Sequence, residues 1–345
     1  MAQKSSRKGA GNTTLTLVLI LIIAIIANIF IFGTLKSENT PSDNVNLRTS
    51  AAAGSNDDQP AATKPGNAVP ENYTTLEIDS QELHFGELIL VNNNTEFVED
   101  GTHSVIKHET PEDVYTYKTR DYVILDTTID LNPTVIEQLN KMFADYVAYS
   151  SAADVMINAA YRTAEMQQEL YTSKGPDIAA KPGFSEHHSG YAFDICIYSG
   201  GVSRTFADEG HYTWIPENCK KYGFIRRYPE GKTDVTGIAF EPWHFRYVGV
   251  PHSYYIMNNG IVLEEYIDLL KHYTFSGEHL AINADGKNYE VYYVPAAGEL
   301  TRVYVPTDKL YTVSGNNTDG FIVTVDMSET TESPAENSGN TAVQQ

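Results

Sequence analysis

Hydrophobic positions fall into three regimes along the chain. From 13 to 35, TTLTLVLILIIAIIANIFIFGTL is apolar and carries no charge. From 36 to 75 large apolar side chains almost vanish. Beyond that, apolar residues recur with the periods of regular structure. In DLNPTVIEQLNKMFADYVAYS, Val135, Ile136, Leu139, Met142, Phe143, Tyr146 and Val147 recur at helical spacing. They follow Asn132 and Pro133, a good helix start, so the spacing predicts an amphipathic helix. Further helices are expected at 163–174, at 214–223 closed by Gly223, and at 262–273. Runs rich in β-branched and aromatic residues predict strands at 83–93, 114–126, 154–162, 191–198 and from Phe224. Residues 236–249 read as a strand pair, or as one strand kinked at Pro242. After 274 the chain turns to short strands separated by Asp-Gly, Gly-Glu and Asn-Asn signals.

These regimes divide the chain. A helix needs roughly 20 apolar residues to cross a bilayer, and 13–35 supplies them. A cleaved signal peptide has a shorter apolar stretch and a small-residue cleavage site, and no clean A-x-A closely follows Phe32. The run therefore reads as an uncleaved transmembrane anchor. Lys4, Arg7 and Lys8 lie in a basic tail at 1–12, which stays cytoplasmic and puts everything after Lys36 outside. Residues 36–75 are too polar to offset their ordering entropy and read as a disordered tether, with a reach of roughly 35 Å. The expected organisation continues with the main folded domain at 76–273, a small all-β appendage at 274–327, and a disordered tail at 328–345.

Composition narrows the partners. The 345 residues carry a formal net charge of −21, which argues against nucleic acid, because polyanions are bound by basic surfaces. The two cysteines, Cys196 and Cys219, are too few for a disulfide framework; a single bridge or two buried thiols both fit.

Two short stretches carry candidate chemistry. FSEHHSGYAFD places His187 and Asp194 seven apart, across a Gly190 bend that leads into a strand. His and carboxylate are ordinary zinc ligands, and a catalytic zinc usually keeps three protein ligands and an open position. In FEPWHFRYVG, Glu241 and His244 are three apart, and such a pair offers one general base and one metal ligand. Taken singly, a His near an Asp also describes a plain surface pair, and E-x-x-H occurs by chance.

The two stretches together resemble a known family. Ser185, His187, Gly190, Ala192 and Asp194 fit S-x-H-x-x-G-x-A-x-D without a mismatch, and Glu241, Trp243 and His244 fit the accompanying E-x-W-H. Over roughly 83–270 the chain resembles the VanY-type D-alanyl-D-alanine carboxypeptidases, whose zinc family includes L,D-carboxypeptidases and VanX-like dipeptidases. The resemblance implies an α+β fold, a small antiparallel sheet with packed helices and a zinc site at its face. It implies His187, Asp194 and His244 as zinc ligands and Glu241 as general base. Arg162, in AAYRTAEMQQ, matches the family's Y-R-S/T…Q segment, which puts Arg162 and Gln167 in the substrate pocket. A guanidinium suits a terminal carboxylate, although an arginine at a strand end is also a common structural device. Ser185 is expected to hydrogen-bond the substrate terminus or to brace the loop. His188 falls on a variable position, and Trp243 is expected to pack under the site.

The expected function is zinc-dependent removal of the terminal D-Ala from peptidoglycan stem pentapeptides, or from a lipid-linked precursor, by a single-pass membrane protein facing outward. Alternatives are an L,D-carboxypeptidase acting on tetrapeptides, a dipeptidase on free D-Ala-D-Ala, and an inactive peptidoglycan-binding module. The dipeptidase is disfavoured because free dipeptide is cytoplasmic.

Overall fold

The computed structural model describes residues 69–98, 109–176 and 178–330. In chain order its elements are β1 (Tyr73–Asp79), β2 (Glu112–Asp113), α1 (Val114–Tyr117), β3 (Val123–Ile124), β4 (Asp130–Leu131), α2 (Pro133–Ser150), β5 (Val155–Ala159) and α3 (Ala164–Lys174). A 3-10 turn, Glu186–Ser189, leads into β6 (Ala192–Ser199) and β7 (Val202–Thr205). Then come α4 (Trp214–Asn218), β8 (Phe224–Arg226), α5 (Thr233–Thr236), β9 (His244–Tyr247), α6 (His252–Asn259) and α7 (Leu263–Leu270). The C-terminal strands are β10 (Leu280–Ala284), β11 (Lys287–Pro295), β12 (Leu300–Pro306), β13 (Lys309–Gly315) and β14 (Gly320–Thr330).

The central sheet runs β3-β5-β6-β9-β8, with β7 on β6. It is antiparallel except for β3 against β5, a parallel edge the sequence does not announce. Alternation sorts its residues by face. Phe193, Ile195 and Ile197 of β6 and Phe245 of β9 join one core with α2, which contributes Val135, Ile136, Leu139, Met142, Phe143 and Tyr146. At roughly 1.5–3 kcal/mol per buried large apolar side chain, that helix face contributes of order 10 kcal/mol before ordering entropy. The intervening residues, Asp194 on β6 and His244 and Arg246 on β9, alternate to the opposite face.

The strands after 274 do not stand apart. A four-stranded sheet, β10-β11-β14-β13, shares a second core with α6 and α7. Leu280, Ile282, Val291, Tyr293 and Ile322 pack there with Ile256, Leu263, Ile267 and Leu270. β1 begins at Tyr73, inside the tract read as a tether, and pairs antiparallel with β12. β14 runs on to Thr330.

Several sequence expectations are corrected. The apolar run at 83–93 is irregular chain, not a strand. Leu88, Ile89, Leu90 and Val91 are all buried in succession. Two of their amides bond to β13 and the turn after it instead of to a ladder: Leu88 N–H donates to Ser314 Oγ at 3.0 Å and Leu90 N–H to Asn316 O at 3.1 Å. Residues 114–126 hold one helical turn and a two-residue strand. Residues 236–249 contain only the short β9, because the chain turns at Glu241, whose carbonyl accepts from His244 N–H at 3.3 Å. The expected anchor at 13–35 lies outside the described residues, among which no helix is long and apolar enough to cross a membrane.

Candidate metal centre

Two pairings bring the candidate ligands together. Asp194 and His244 are directly opposite on antiparallel β6 and β9. His187 comes from the 3-10 turn just before β6, and that turn is fixed from several sides. Arg162 N–H donates to His187 O at 3.1 Å, Asn132 N–H to Gly190 O at 3.1 Å, and Asn132 Nδ2 to Ser189 O at 3.1 Å. Asn132 heads α2, as its sequence suggests, but its side chain serves this turn instead of capping the helix. Glu109 takes over, accepting from Thr134 N–H at 3.1 Å. Gly190 sits at φ +71°, and a Cβ there would lie 2.6 Å from Asn132 Oδ1. That close approach explains why the motif needs glycine.

His187, Asp194 and His244 offer donor atoms all within 4.8 Å of one another. His187 Nδ1 bonds to Ala160 O at 2.7 Å, and a carbonyl only accepts, so the proton is on Nδ1 and the Nε2 lone pair is free. Burial, and then the Arg162 charge, push the His187 pKa down to about 4, so the ring is neutral and ready to ligate. His244 presents Nδ1 to Asp194 Oδ1 at 2.9 Å and Nε2 to Glu186 Oε2 at 3.3 Å. Burial pushes the Asp194 carboxyl up, but the two histidines outweigh it and hold the group well below the usual carboxylate range. Two imidazoles, each with its outer nitrogen engaged, and one carboxylate form a donor set that fits zinc and leaves a coordination position open.

Glu241 lies beside this set, its Oε2 3.9 Å from His244 Nδ1. Burial, offset in part by His244, raises its pKa to about 7. A carboxylate near its midpoint at neutral pH can both take and return a proton. Arg162 follows β5; its Nη1 donates to Gln167 Oε1 at 2.7 Å, and Gln167 Nε2 donates to Ala180 O at 2.6 Å. A cavity of about 260 Å³ opens along Arg162, lined also by Phe97, Tyr161, Thr163 and His188. Ser185 is buried at the head of the 3-10 turn. His188 is buried too: Gly183 N–H donates to its Nε2 at 3.1 Å and its Nδ1–H reaches Arg162 O at 2.6 Å. It therefore braces the backbone of Arg162. Trp243 packs against the α2 core. Cys196 and Cys219 are free, buried thiols, and neither belongs to the donor set.

One part of the site was not foreseen. Glu186, next to His187, is buried between Arg227 and Arg246. Its Oε1 accepts from Arg227 Nε at 2.7 Å and from Arg246 Nη1 at 2.9 Å. Arg227 is in turn bidentate to Glu264, at 2.8 and 2.6 Å. Burial raises the Glu186 carboxyl, but the two guanidiniums overcome this and keep it ionised. Four charged side chains meet here from the 3-10 turn, β9, α7 and the segment just after β8. Their sequence separations of 37 to 60 positions hide the cluster from any local pattern.

Comparison with known proteins agrees with this geometry. Residues 128–250 match the VanY family, described as D-alanyl-D-alanine carboxypeptidase. A D-alanyl-D-alanine carboxypeptidase of Enterococcus faecium is 36% identical over 269 residues, 78% of this chain and 84% of the relative. The bifunctional D-Ala-D-Ala dipeptidase and carboxypeptidase VanXYC of Enterococcus gallinarum is 36% identical over 157 residues, 42% of this chain and 81% of the relative. The crystal structure of the vancomycin resistance D,D-dipeptidase VanXYg, in complex with a D-Ala-D-Ala phosphinate analogue, superposes with a TM-score of 0.64 at 31% identity. It covers 74% of this chain and 99% of that chain.

Proposed function

The chain belongs to the VanY family of D-alanyl-D-alanine carboxypeptidases, and we propose that it removes the terminal D-Ala from peptidoglycan stem pentapeptides in a zinc-dependent hydrolysis. The observation that carries this reading is the convergence of His187, Asp194 and His244, with Glu241 3.9 Å from the His244 nitrogen that faces the metal position. Zinc held there supplies Lewis-acid polarisation of the scissile carbonyl and a more acidic attacking water. Glu241, beside this position, would take a proton from the attacking water and return it to the amine of the departing D-Ala, so the proton count closes over the cycle. Arg162, pre-set by Gln167, offers a planar pair of donors to the terminal carboxylate or to the carbonyl oxygen. Ser185 hydrogen-bonds the substrate terminus.

The apolar run at 13–35 behind Lys4, Arg7 and Lys8 supports a single-pass anchor with the catalytic domain outside the cytoplasm, within reach of the wall or a lipid-linked precursor. Free D-Ala released from pentapeptide and from tetrapeptide, with and without chelator and zinc add-back, tests the reaction. Chelator-sensitive release from pentapeptide, lost in Glu241→Ala, is the expected result. Release from tetrapeptide alone would make the enzyme an L,D-carboxypeptidase.

A further inference from the structure

We infer that Glu186 is a positioning residue for the reaction: it fixes which nitrogen of His244 faces the metal. The inference rests on the reading of His187, Asp194 and His244 as the metal ligands.

A ligating histidine has two nitrogens, and the one that carries the proton cannot ligate. At His187 the choice is made by Ala160 O, which can only accept. At His244 the ring faces carboxylates on both sides, and the group beyond Nε2 is Glu186 Oε2 at 3.3 Å. Glu186 is 2% exposed, and its other oxygen is taken by Arg227 Nε and Arg246 Nη1. Two guanidiniums on one oxygen keep the carboxylate ionised and acceptor-only. Oε2 is then the acceptor turned to His244 Nε2, while Asp194 Oδ1 faces Nδ1 at 2.9 Å. With Glu186 engaging Nε2, Nδ1 is the nitrogen turned toward the metal position, Asp194 and Glu241.

The carboxylate is itself immobilised. Arg227 is gripped by Glu264 of α7, and Arg246 Nη2 donates to Glu87 O and Ile89 O, each at 2.9 Å. Those carbonyls lie in the irregular 83–93 segment that the C-terminal sheet holds through Ser314 and Asn316. Two glutamates, one of them the partly exposed Glu264, balance two buried arginines, which makes the burial of the other three tolerable. Orientation of a metal-bound histidine by an outer carboxylate typically governs metal affinity by 10–100-fold.

The test is zinc affinity of the intact protein, measured by competition with a chelating chromophore. Glu186→Gln keeps the shape but no longer demands a proton from His244, and its zinc Kd is expected to rise about 10–100-fold. Glu264→Gln removes a charge from the same cluster without touching His244. It is expected to lower the thermal midpoint while zinc affinity stays near that of the parent. Equal weakening by both variants, or no weakening by Glu186→Gln, would overturn the inference. Asp194→Ala separates the underlying reading: if it leaves zinc binding intact, the metal site itself is misassigned and the inference falls with it. Should Glu186→Gln fail to fold, ring-nitrogen NMR of the zinc-loaded parent decides. A proton on His244 Nε2 upholds the inference and a proton on Nδ1 overturns it.

Discussion

Gln167 holds Arg162 from behind: its Oε1 accepts from Arg162 Nη1 at 2.7 Å while its Nε2 donates to Ala180 O at 2.6 Å. Gln167 is 1% exposed, so the pair is fixed before any substrate arrives. Gln167→Leu keeps the volume and removes both bonds, leaving Arg162 free to take other rotamers. A charge-assisted hydrogen bond is worth about 1.5–3 kcal/mol, so kcat/KM should fall roughly 10–100-fold. Zinc content, measured by metal analysis, should not change. Loss of zinc together with activity would mean that the glutamine supports the 3-10 turn instead.

Glu241 is not among the three donor residues, yet it faces the same point. Glu241→Gln should therefore keep zinc while kcat falls by about 10²–10⁴, the usual range for a lost acid–base group. Paired D-Ala release and metal analysis on one preparation would check both halves. Activity within tenfold of the parent would remove Glu241 from the proton-transfer role.

A pH effect should arise far from the metal. His252 is 1% exposed, with Nδ1 2.8 Å from Tyr266 Oη and Nε2 2.9 Å from Thr324 Oγ1, and burial pushes its pKa down to about 3. An unfolded histidine protonates near pH 6.5. Between those values the unfolded chain binds a proton that the folded chain refuses. The stability this group confers is therefore complete above about pH 6.5 and is lost as pH falls toward 3. From about pH 6.5 to pH 5 it should cost about 2 kcal/mol in denaturant unfolding. His252→Gln should flatten that part of the profile, and an unaltered slope would point to another group.

Removing the C-terminal strands should unfold the catalytic part. A chain ending at 273 loses Leu280, Ile282, Val291, Tyr293 and Ile322 from the core shared with α7, and Thr324 from His252. At roughly 1.5–3 kcal/mol for each large side chain, the loss matches the 5–15 kcal/mol that typically holds a domain folded. Circular dichroism and gel filtration of the truncated chain should show an unfolded or aggregated species. A monomeric, zinc-binding fragment would contradict the shared-core account.

The sequence was most legible where one face of one element decides the matter. The 3.6-residue recurrence of Val135 to Tyr146 gives α2, and alternation in β6 assigns Phe193 inward and Asp194 to the metal face. The two motifs named the residues that converge, because each ligand's spacing reflects a local turn or a direct cross-strand pair. Leu88 to Val91 misled, because four consecutive buried apolar residues look like a strand when the hydrogen-bond partners, Ser314 and Asn316, lie more than 200 positions away. The α6 helix was missed because HSYYIMNN is short and rich in tyrosine and asparagine, both indifferent helix formers. Glu186 was passed over as a spacer in the motif, since its partners Arg227 and Arg246 come close only once β8 and β9 are paired.

The cluster of buried Glu186, Arg227 and Arg246 with partly exposed Glu264 has a consequence for how such a chain can change over time. Removing Glu186 takes the shared carboxylate from two fully buried guanidiniums, and breaking a buried pair from one side costs about 3–5 kcal/mol. An apolar replacement of the whole set can be neutral or better for stability, but every single-substitution path toward it crosses that penalty. The positions are therefore expected to change together, held less by the merit of each residue than by the cost of the first step.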